Sequence, residues 1–129
     1  MRDIIFRGKR EDNGEWINES ETYIKDGDGT WLCDESNDVV KVLPETVGQF
    51  TGLTDNNGKK IFEGDIVKIP LYEGCQEKTI AVVAWDILCA VFYLHGKRVK
   101  TDFYHYFGND CEVIGNIHDN KLEDFENGC

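Results

Sequence analysis

Turn-forming residues interrupt this sequence roughly every 8–12 residues, and that spacing restricts the chain to short elements. Thirteen of the 129 residues are glycine. The strongest turn signals are Asn13-Gly14, Asp26-Gly27-Asp28-Gly29 and Asn57-Gly58, because such pairs accept the positive φ angles of hairpin turns. The runs between them are rich in β-branched and aromatic residues, which are typical of strands. The spacing therefore predicts an all-β (β-rich) fold.

The predicted strands fall into two groups. Residues 1–48 contain hairpins and end near Pro44, which cannot donate to a strand ladder and opens at most one helical turn. Residues 49–129 contain five strands, enough to close a small barrel, and then a short acidic tail. Within this group, residues 79–85 are apolar on both faces, as in a central strand. We therefore predict an N-terminal β-hairpin region, 1–48, and a C-terminal small barrel, 49–129.

Glu63-Gly64-Asp65 is predicted to form the tight turn that starts the strand at residues 66–69. Glycine supplies a backbone conformation that is closed to residues with a Cβ atom, and an aspartate carboxylate caps nearby amides. Gly64 and Asp65 are therefore candidate structural residues of the turn.

The net charge of −11 disfavours nucleic acid as a partner, because such binding depends on cations that displace counterions from phosphates. The basic clusters, Arg7–Arg10 and Lys97–Lys100, are both short. Between Glu11 and Asp38 there are ten carboxylates and one cation, Lys25. This segment is either a solvated face or a surface for a basic partner. In the second case the candidate interaction residues are Asp26, Asp28, Asp34 and Glu35.

Aromatic residues are densest between Phe103 and Phe107, where four of five residues are aromatic. They cannot all face one core. Either they cover the core and leave one or two rings exposed, or they form a contact with a partner or a second copy. Phe103, Tyr104 and Tyr106 are the candidates for such an interface.

No catalytic, cofactor-binding or metal-binding residues are predicted. Both serines lie outside the turn that presents a hydrolase nucleophile, and the calcium-like start at Asp26 has Trp31 and Asn37 where an EF-hand needs glycine and glutamate. The cysteines and histidines are dispersed without metal-ligand spacing. Cys89 and Cys111 lie in apolar patterns and are predicted to be core residues. The five cysteines are Cys33, Cys75, Cys89, Cys111 and Cys129, and the three histidines are His95, His105 and His118.

The sequence also predicts a cytoplasmic protein. No charged-then-apolar leader follows Met1, and no apolar run approaches the ~20 residues of a membrane helix. We therefore expect no membrane association.

Three phrases together resemble the YopX family of phage and prophage proteins. They are Phe6-Arg7-Gly8-Lys9 with Asn13-Gly14-Glu15-Trp16, the run from Pro44 to Val67, and Glu112-Val113-Ile114-Gly115-Asn116-Ile117. The resemblance spans nearly the whole chain and is weakest at residues 20–42 and 72–110. It implies an accessory protein of a phage or prophage in a bacterial host cell, with a C-terminal portion similar to SH3-type barrels. The family has no assigned biochemical activity, so the resemblance assigns no functional residues.

These observations favour a non-enzymatic protein that acts through protein contacts. One hypothesis is an acidic module that binds a basic host or phage protein, and another is a homo-oligomeric assembly protein. The alternative is a nucleic-acid-associated SH3-like barrel, which rests on analogy of fold.

Overall fold

The computed structural model describes residues 4–72, 74–86, 91–97, 100–102, 111–121 and 125. These residues form antiparallel strands joined by tight turns, which confirms the all-β prediction. The chain divides into two compact units, Met1–Phe50 and Thr51–Cys129. The boundary between the units lies two residues after the predicted one, which fell between residues 48 and 49.

The first unit contains five strands, one 3-10 turn and the start of a sixth strand. Hairpin pairing orders them as β2-β1-β6 and β3-β4-β5, all antiparallel. The bounds are β1 Phe6–Lys9, β2 Trp16–Ser20, β3 Tyr23–Asp26, β4 Gly29–Cys33, β5 Val39–Val42, the 3-10 turn Pro44–Thr46, and β6 Gly48–Thr54.

The core of the first unit is small and apolar. Ile17, Leu32 and Val42 are buried together, and Phe6 and Val47 pack on them. The alternation of buried and half-buried residues along β4 explains the placement, since alternate side chains of a strand point to opposite faces.

The single helical turn expected at Pro44 is present as the 3-10 turn. Proline suits the first helical position because its missing N–H has no intrahelical partner there. The Thr46 hydroxyl then donates to the Leu43 carbonyl (2.6 Å) and accepts the Lys9 N–H (2.9 Å). The first bond closes the turn, and the second attaches it to β1.

The second unit is built on a five-stranded antiparallel sheet in the order β11-β10-β9-β8-β12. The apolar segment at 79–85 lies in β9, at the centre of that sheet, as predicted. Its burial is complete at Ala81 and declines to Trp85, which is 41% exposed. The bounds are β7 Lys60–Phe62, β8 Asp65–Pro70, β9 Lys78–Asp86, β10 Val91–His95, β11 Lys100–Asp102 and β12 Glu112–Asn116.

The main core cluster of the second unit lies on one face of this sheet, and Ile66 and Ile80 are buried on the other. Its buried members come from β7 to β10 and from the residue before β12. Cys111 is fully buried among them, as predicted for a core cysteine. The cluster consists of Ile61, Val67, Ile69, Ala81, Val83, Phe92, Leu94 and Cys111.

The sequence predicted five strands in this unit, and the structure differs from that prediction at two places. The run at 60–69 is divided by the turn at Glu63-Gly64 into β7 and β8, and β11 is an additional short strand. Over the described residues the sheet is curled but not closed, because β11 and β12 lie at its two ends. A register shift between Val113 and Gly115 adds local twist. The SH3-like small barrel is therefore a half-barrel in the described residues.

The described part of the chain contains no helix with the length and apolar character needed to cross a membrane.

Candidate functional site

The first unit contains a polar cleft of about 540 Å³ between β2 and the loop that follows β4. Four carboxylates line it, Glu15, Glu19, Asp34 and Glu35, against one cation, Arg10. A neighbouring depression of about 400 Å³ shares Glu19, Asp34 and Glu35 with this cleft. We name the larger of the two the acidic cleft.

Asp34 organises one wall of the acidic cleft. Its Oδ1 accepts the backbone N–H groups of Ser36 (2.9 Å) and Asp38 (3.0 Å). The Asp34 N–H donates to the Asp38 carbonyl, and Asn37 adopts a φ of 66° between them. Asparagine tolerates this left-handed conformation better than most residues do. The loop is therefore held in one shape, and it presents Glu35 to solvent.

Arg10 at the rim of the cleft is already paired. Its Nε and Nη2 donate to the two carboxylate oxygens of Asp12 at 3.0 and 2.9 Å. Its Nη1 lies 3.6 Å from Asp34 Oδ2. The hydrogen bond with Asp12 raises the pKa of Arg10 and lowers the pKa of the Asp12 carboxyl. This guanidinium therefore neutralises part of the acid, and the charge that remains in the cleft is negative.

Trp16 supplies the aromatic surface of the cleft. Its ring lies 5.1 Å from the Arg7 guanidinium carbon and 5.5 Å from Lys9 Nζ, measured to the ring centroid. Both distances are within the range of cation–π attraction. Arg7 and Lys9 alternate along β1, and Lys9 pairs with Trp16 across the hairpin. The basic cluster that stood out in the sequence thus packs against an aromatic ring.

The four acidic candidates from the sequence do not lie together. Asp34 and Glu35 line the acidic cleft, whereas Asp26 and Asp28 lie at the β3–β4 hairpin turn. There the Asp28 N–H donates to Asp26 Oδ1 at 2.7 Å, which stabilises the turn. This segment therefore forms the hairpin turn that the sequence predicted.

Glu15 and Glu19 are members of the cleft that the sequence reasoning did not select. Glu15 lies just before β2 and Glu19 lies within it, and their position follows from the pairing of β1 with β2 rather than from any local motif. The turn signal at Asn13-Gly14 was sufficient to predict the β1–β2 hairpin. It does not indicate that the loop after β4 faces β2 across the cleft.

The aromatic candidates Phe103, Tyr104 and Tyr106 lie outside the described residues, as do Cys89, Cys129 and His105. Their assignment to a core or an interface stays a prediction.

The turn at Gly64 and Asp65 has the geometry that requires glycine. Gly64 adopts a φ of +93°, its N–H donates to the Val83 carbonyl (2.8 Å), and its carbonyl accepts the Ile117 N–H (2.9 Å). The buried Asp65 uses Oδ2 to accept the Phe62 N–H at 2.8 Å. Strands β7, β8 and β9 and the residue that follows β12 therefore meet at this turn.

A second buried carboxylate, Asp55, fastens the β6–β7 turn to β12. Its Oδ1 accepts the N–H groups of Asn57 and Lys59, and its Oδ2 accepts that of Val113, all at 2.9 Å. Burial raises the pKa of this carboxyl, but the three N–H donors and the Lys59 charge outweigh burial and lower it. Burial, together with the charges of Asp55 and Asp65, raises the pKa of the neighbouring Cys111 thiol to about 12. Cys111 therefore stays protonated and unreactive near neutral pH.

Ser20 joins β2, β3 and β4 through a buried hydroxyl. It donates to the Thr22 carbonyl (2.6 Å) and accepts the N–H groups of Thr22 (3.1 Å) and Cys33 (3.0 Å). Ser20→Ala is expected to lower the free energy of unfolding by about 1–2 kcal/mol, because buried N–H groups lose their acceptor. Urea denaturation measures the change.

Ser36→Ala is the matched control for this prediction. Ser36 is exposed, and only its backbone N–H takes part in a hydrogen bond. Its replacement is expected to change stability by less than about 0.5 kcal/mol. Equal effects at both serines would contradict the role assigned to the Ser20 hydroxyl.

The described residues contain no group of three or more His, Cys, Asp or Glu side chains that could hold a metal ion. His95 is exposed at the end of β10, and His118 lies over Gly64. Cys33, Cys75 and Cys111 have free thiols.

The fold and the surface together define this chain as a small all-β protein with an acidic cleft. The family model described as YopX protein matches residues 5–123, and the chain belongs to the YopX family. It is similar in structure to protein EF1440 from Enterococcus faecalis, known from a crystal structure, with a TM-score of 0.57 and 20% sequence identity. That alignment covers 93% of this chain and 96% of the other, and the similarity shows the fold alone. No curated protein matches the sequence.

Proposed function

We propose that this protein is a non-catalytic interaction module that receives a basic segment of another protein in its acidic cleft. The observation that carries the proposal is the cleft of about 540 Å³ with four carboxylates, whose one arginine is already paired with Asp12. The setting we propose is that of a phage or prophage accessory protein in the bacterial cytoplasm, as the YopX resemblance implies.

The charge distribution supports this choice of partner. The whole chain carries a net charge of −11, and the segment around the cleft is its most acidic part. A concave acidic surface accelerates encounter with a basic partner and repels an acidic one. Nucleic acid is repelled on the same grounds, which places the nucleic-acid alternative second.

The exposure of the cleft carboxylates favours binding over catalysis. Glu15, Glu19 and Glu35 are all exposed. Acid–base catalysis near neutral pH requires carboxyl groups whose pKa is shifted by burial or by close charges. Exposed carboxylates instead supply a negative potential and hydrogen-bond acceptors, which are what a lysine- or arginine-rich segment needs.

Affinity capture from bacterial cells with the full chain, followed by titration of the captured protein, tests this function. The cleft variant is Glu15→Gln, Glu19→Gln and Glu35→Gln, which keeps side-chain size and leaves Asp34 to hold its loop. We expect a basic captured protein whose affinity falls at least about tenfold in this variant, since several charge contacts are lost. Its association with the unchanged protein should slow as salt rises, because salt screens steering.

The matched control is Glu45→Gln, Glu77→Gln and Glu112→Gln, which removes the same charge from residues that line neither the cleft nor β3. It is expected to retain most of the affinity. A partner that loses the same affinity in both variants, or that is insensitive to salt, would contradict a role for the cleft. Sub-micromolar binding of duplex DNA at physiological salt would instead support the nucleic-acid alternative.

A further inference from the structure

The outer edge of β3 is an open strand edge on the first unit. Among the described residues β3 pairs with β4 alone, and all four of its residues, Tyr23–Asp26, are exposed. A strand edge with unpaired N–H and C=O groups is a template for another strand. We propose that β3 takes a basic, extended segment of a partner protein as an added antiparallel strand.

The β3–β4 turn determines which backbone groups face outward. Gly27 and Asp28 form a two-residue loop, closed by the pair Asp26 and Gly29. In such a hairpin the closing pair is hydrogen-bonded, and hydrogen-bonded and open pairs then alternate. Ile24 therefore bonds to β4, whereas the N–H and C=O groups of Tyr23 and Lys25 point away from it. The edge offers two donors and two acceptors to an incoming strand.

An apolar row on one face of the sheet continues to this edge. Ile24 is 40% exposed and lies opposite the half-buried Trp31 in the β3–β4 register. Val39 of β5 is 56% exposed and lies on the same face, opposite Cys33, whereas Lys41 lies opposite Trp31 in the row itself. An added strand would extend the face and cover part of the exposed Ile24, so its residue opposite Ile24 should be apolar.

The charges beside β3 determine what kind of strand fits. Glu21, Asp26 and Asp28 lie next to or within the edge hairpin, and Lys25 is the one cation between Glu11 and Asp38. A second copy of this chain would bring the same net charge of −11 to this edge, and two strongly acidic chains repel one another. Side chains alternate between the two faces of a strand, so Asp26 lies on the face of Ile24 and Lys25 lies on the other. A strand with an apolar residue opposite Ile24 and with lysine or arginine toward both ends, near Glu21 and Asp26, satisfies both the apolar contact and the acid.

This inference rests on the proposed function for the charge of the partner, but it concerns a different surface. The acidic cleft lies along β2 and the loop after β4, whereas the added strand lies along β3. Variants of the cleft and of the edge therefore test the two proposals separately.

Amide hydrogen exchange by NMR tests the added strand on the unmodified protein. The probe is a capped peptide of about eight residues, a common strand length, with valines at its centre and lysines toward both ends. In the free protein we expect the Tyr23 and Lys25 amides to exchange rapidly and the Ile24 and Asp26 amides slowly. At saturating peptide, exchange at Tyr23 and Lys25 should slow at least about tenfold, since exchange then requires opening of the new bonds.

Two control peptides isolate the causes. A peptide with N-methyl groups on its pairing amides should bind at least about tenfold more weakly, and one with glutamate in place of lysine should show no protection of β3. In the protein, Lys25→Pro removes an outward N–H and should abolish the protection at Tyr23, whereas Lys25→Gln should preserve it. Absence of protection at saturating peptide, or failure of the valine–lysine peptide to bind, would overturn the inference. A partner that still responds to the cleft variants would leave the proposed function intact.

Discussion

Asp55→Asn is expected to lower the free energy of unfolding by about 2–4 kcal/mol near neutral pH, the largest change we expect from one isosteric substitution. The carboxylate is 6% exposed and accepts three backbone N–H groups. An asparagine has one acceptor oxygen and directs an NH₂ group at the remaining donors. At least one of those N–H groups is then buried without an acceptor. Equilibrium urea denaturation at constant salt measures the loss.

The same substitution should change the pH dependence of stability. Because the folded-state pKa of Asp55 lies below its ordinary value, its contribution is complete above the unfolded-state pKa and is lost as pH falls through the folded-state pKa. The difference in unfolding free energy between Asp55→Asn and the unchanged protein should therefore shrink below about pH 4, where an unfolded aspartate titrates.

Asp28→Asn is the control for both experiments. Asp28 is exposed at a hairpin turn, and its replacement should change stability by less than about 0.5 kcal/mol at any pH. If the Asp55 and Asp28 variants had the same stability near pH 7, the three hydrogen bonds of Asp55 would not contribute as inferred.

Gly64→Val is expected to lower the free energy of unfolding by about 1–3 kcal/mol, because a β-branched residue is strained at a φ of +93°. Space is also limited, since a Cβ atom here would lie 3.3 Å from Nε2 of His118. Both backbone groups of Gly64 are hydrogen-bonded, to Val83 and Ile117, so the turn cannot rotate without losing a bond. Thermal unfolding followed by circular dichroism measures the change.

Gly27→Val is the matched control for the Gly64 substitution. Gly27 lies in an exposed turn, its φ is not positive, and a Cβ atom at this residue would have no other atom within 4 Å beyond its chain neighbours. We expect a change of less than about 0.5 kcal/mol there. A similar loss at both glycines would mean that the turn conformation at Gly64 is not what limits the substitution.

Local signals were sufficient to predict most of the strands. The hairpin between β3 and β4 follows from Asp26-Gly27-Asp28-Gly29, and the 3-10 turn follows from Pro44, because turn chemistry acts over a few residues. The central position of β9 followed from its apolar faces. At residues 60–69 the sequence predicted the turn at Gly64, but β7 and β8 on its two sides were counted as one strand.

Contacts between distant residues could not be predicted in the same way. Asp55 lies two residues before the Asn57-Gly58 turn signal, and nothing near it in sequence indicates its bond to Val113. The acidic cleft likewise combines Glu15 and Glu19 with the Asp34 loop, which depends on how the hairpins pack. Acidic residues are so numerous in this segment that composition alone could not separate cleft residues from those at the hairpin turn.

The bond between Asp55 and Val113 also sets an order of events on the ribosome. These partners are 58 positions apart, which corresponds to about 3–12 s of synthesis at typical rates of 5–20 residues per second. Until β12 emerges, one edge of β8 and one oxygen of Asp55 remain in contact with water or chaperones. The pairings of the first unit, by contrast, have all their residues once Phe50 has been added. The nascent second unit is therefore the part of the chain exposed longest to aggregation or proteolysis during synthesis.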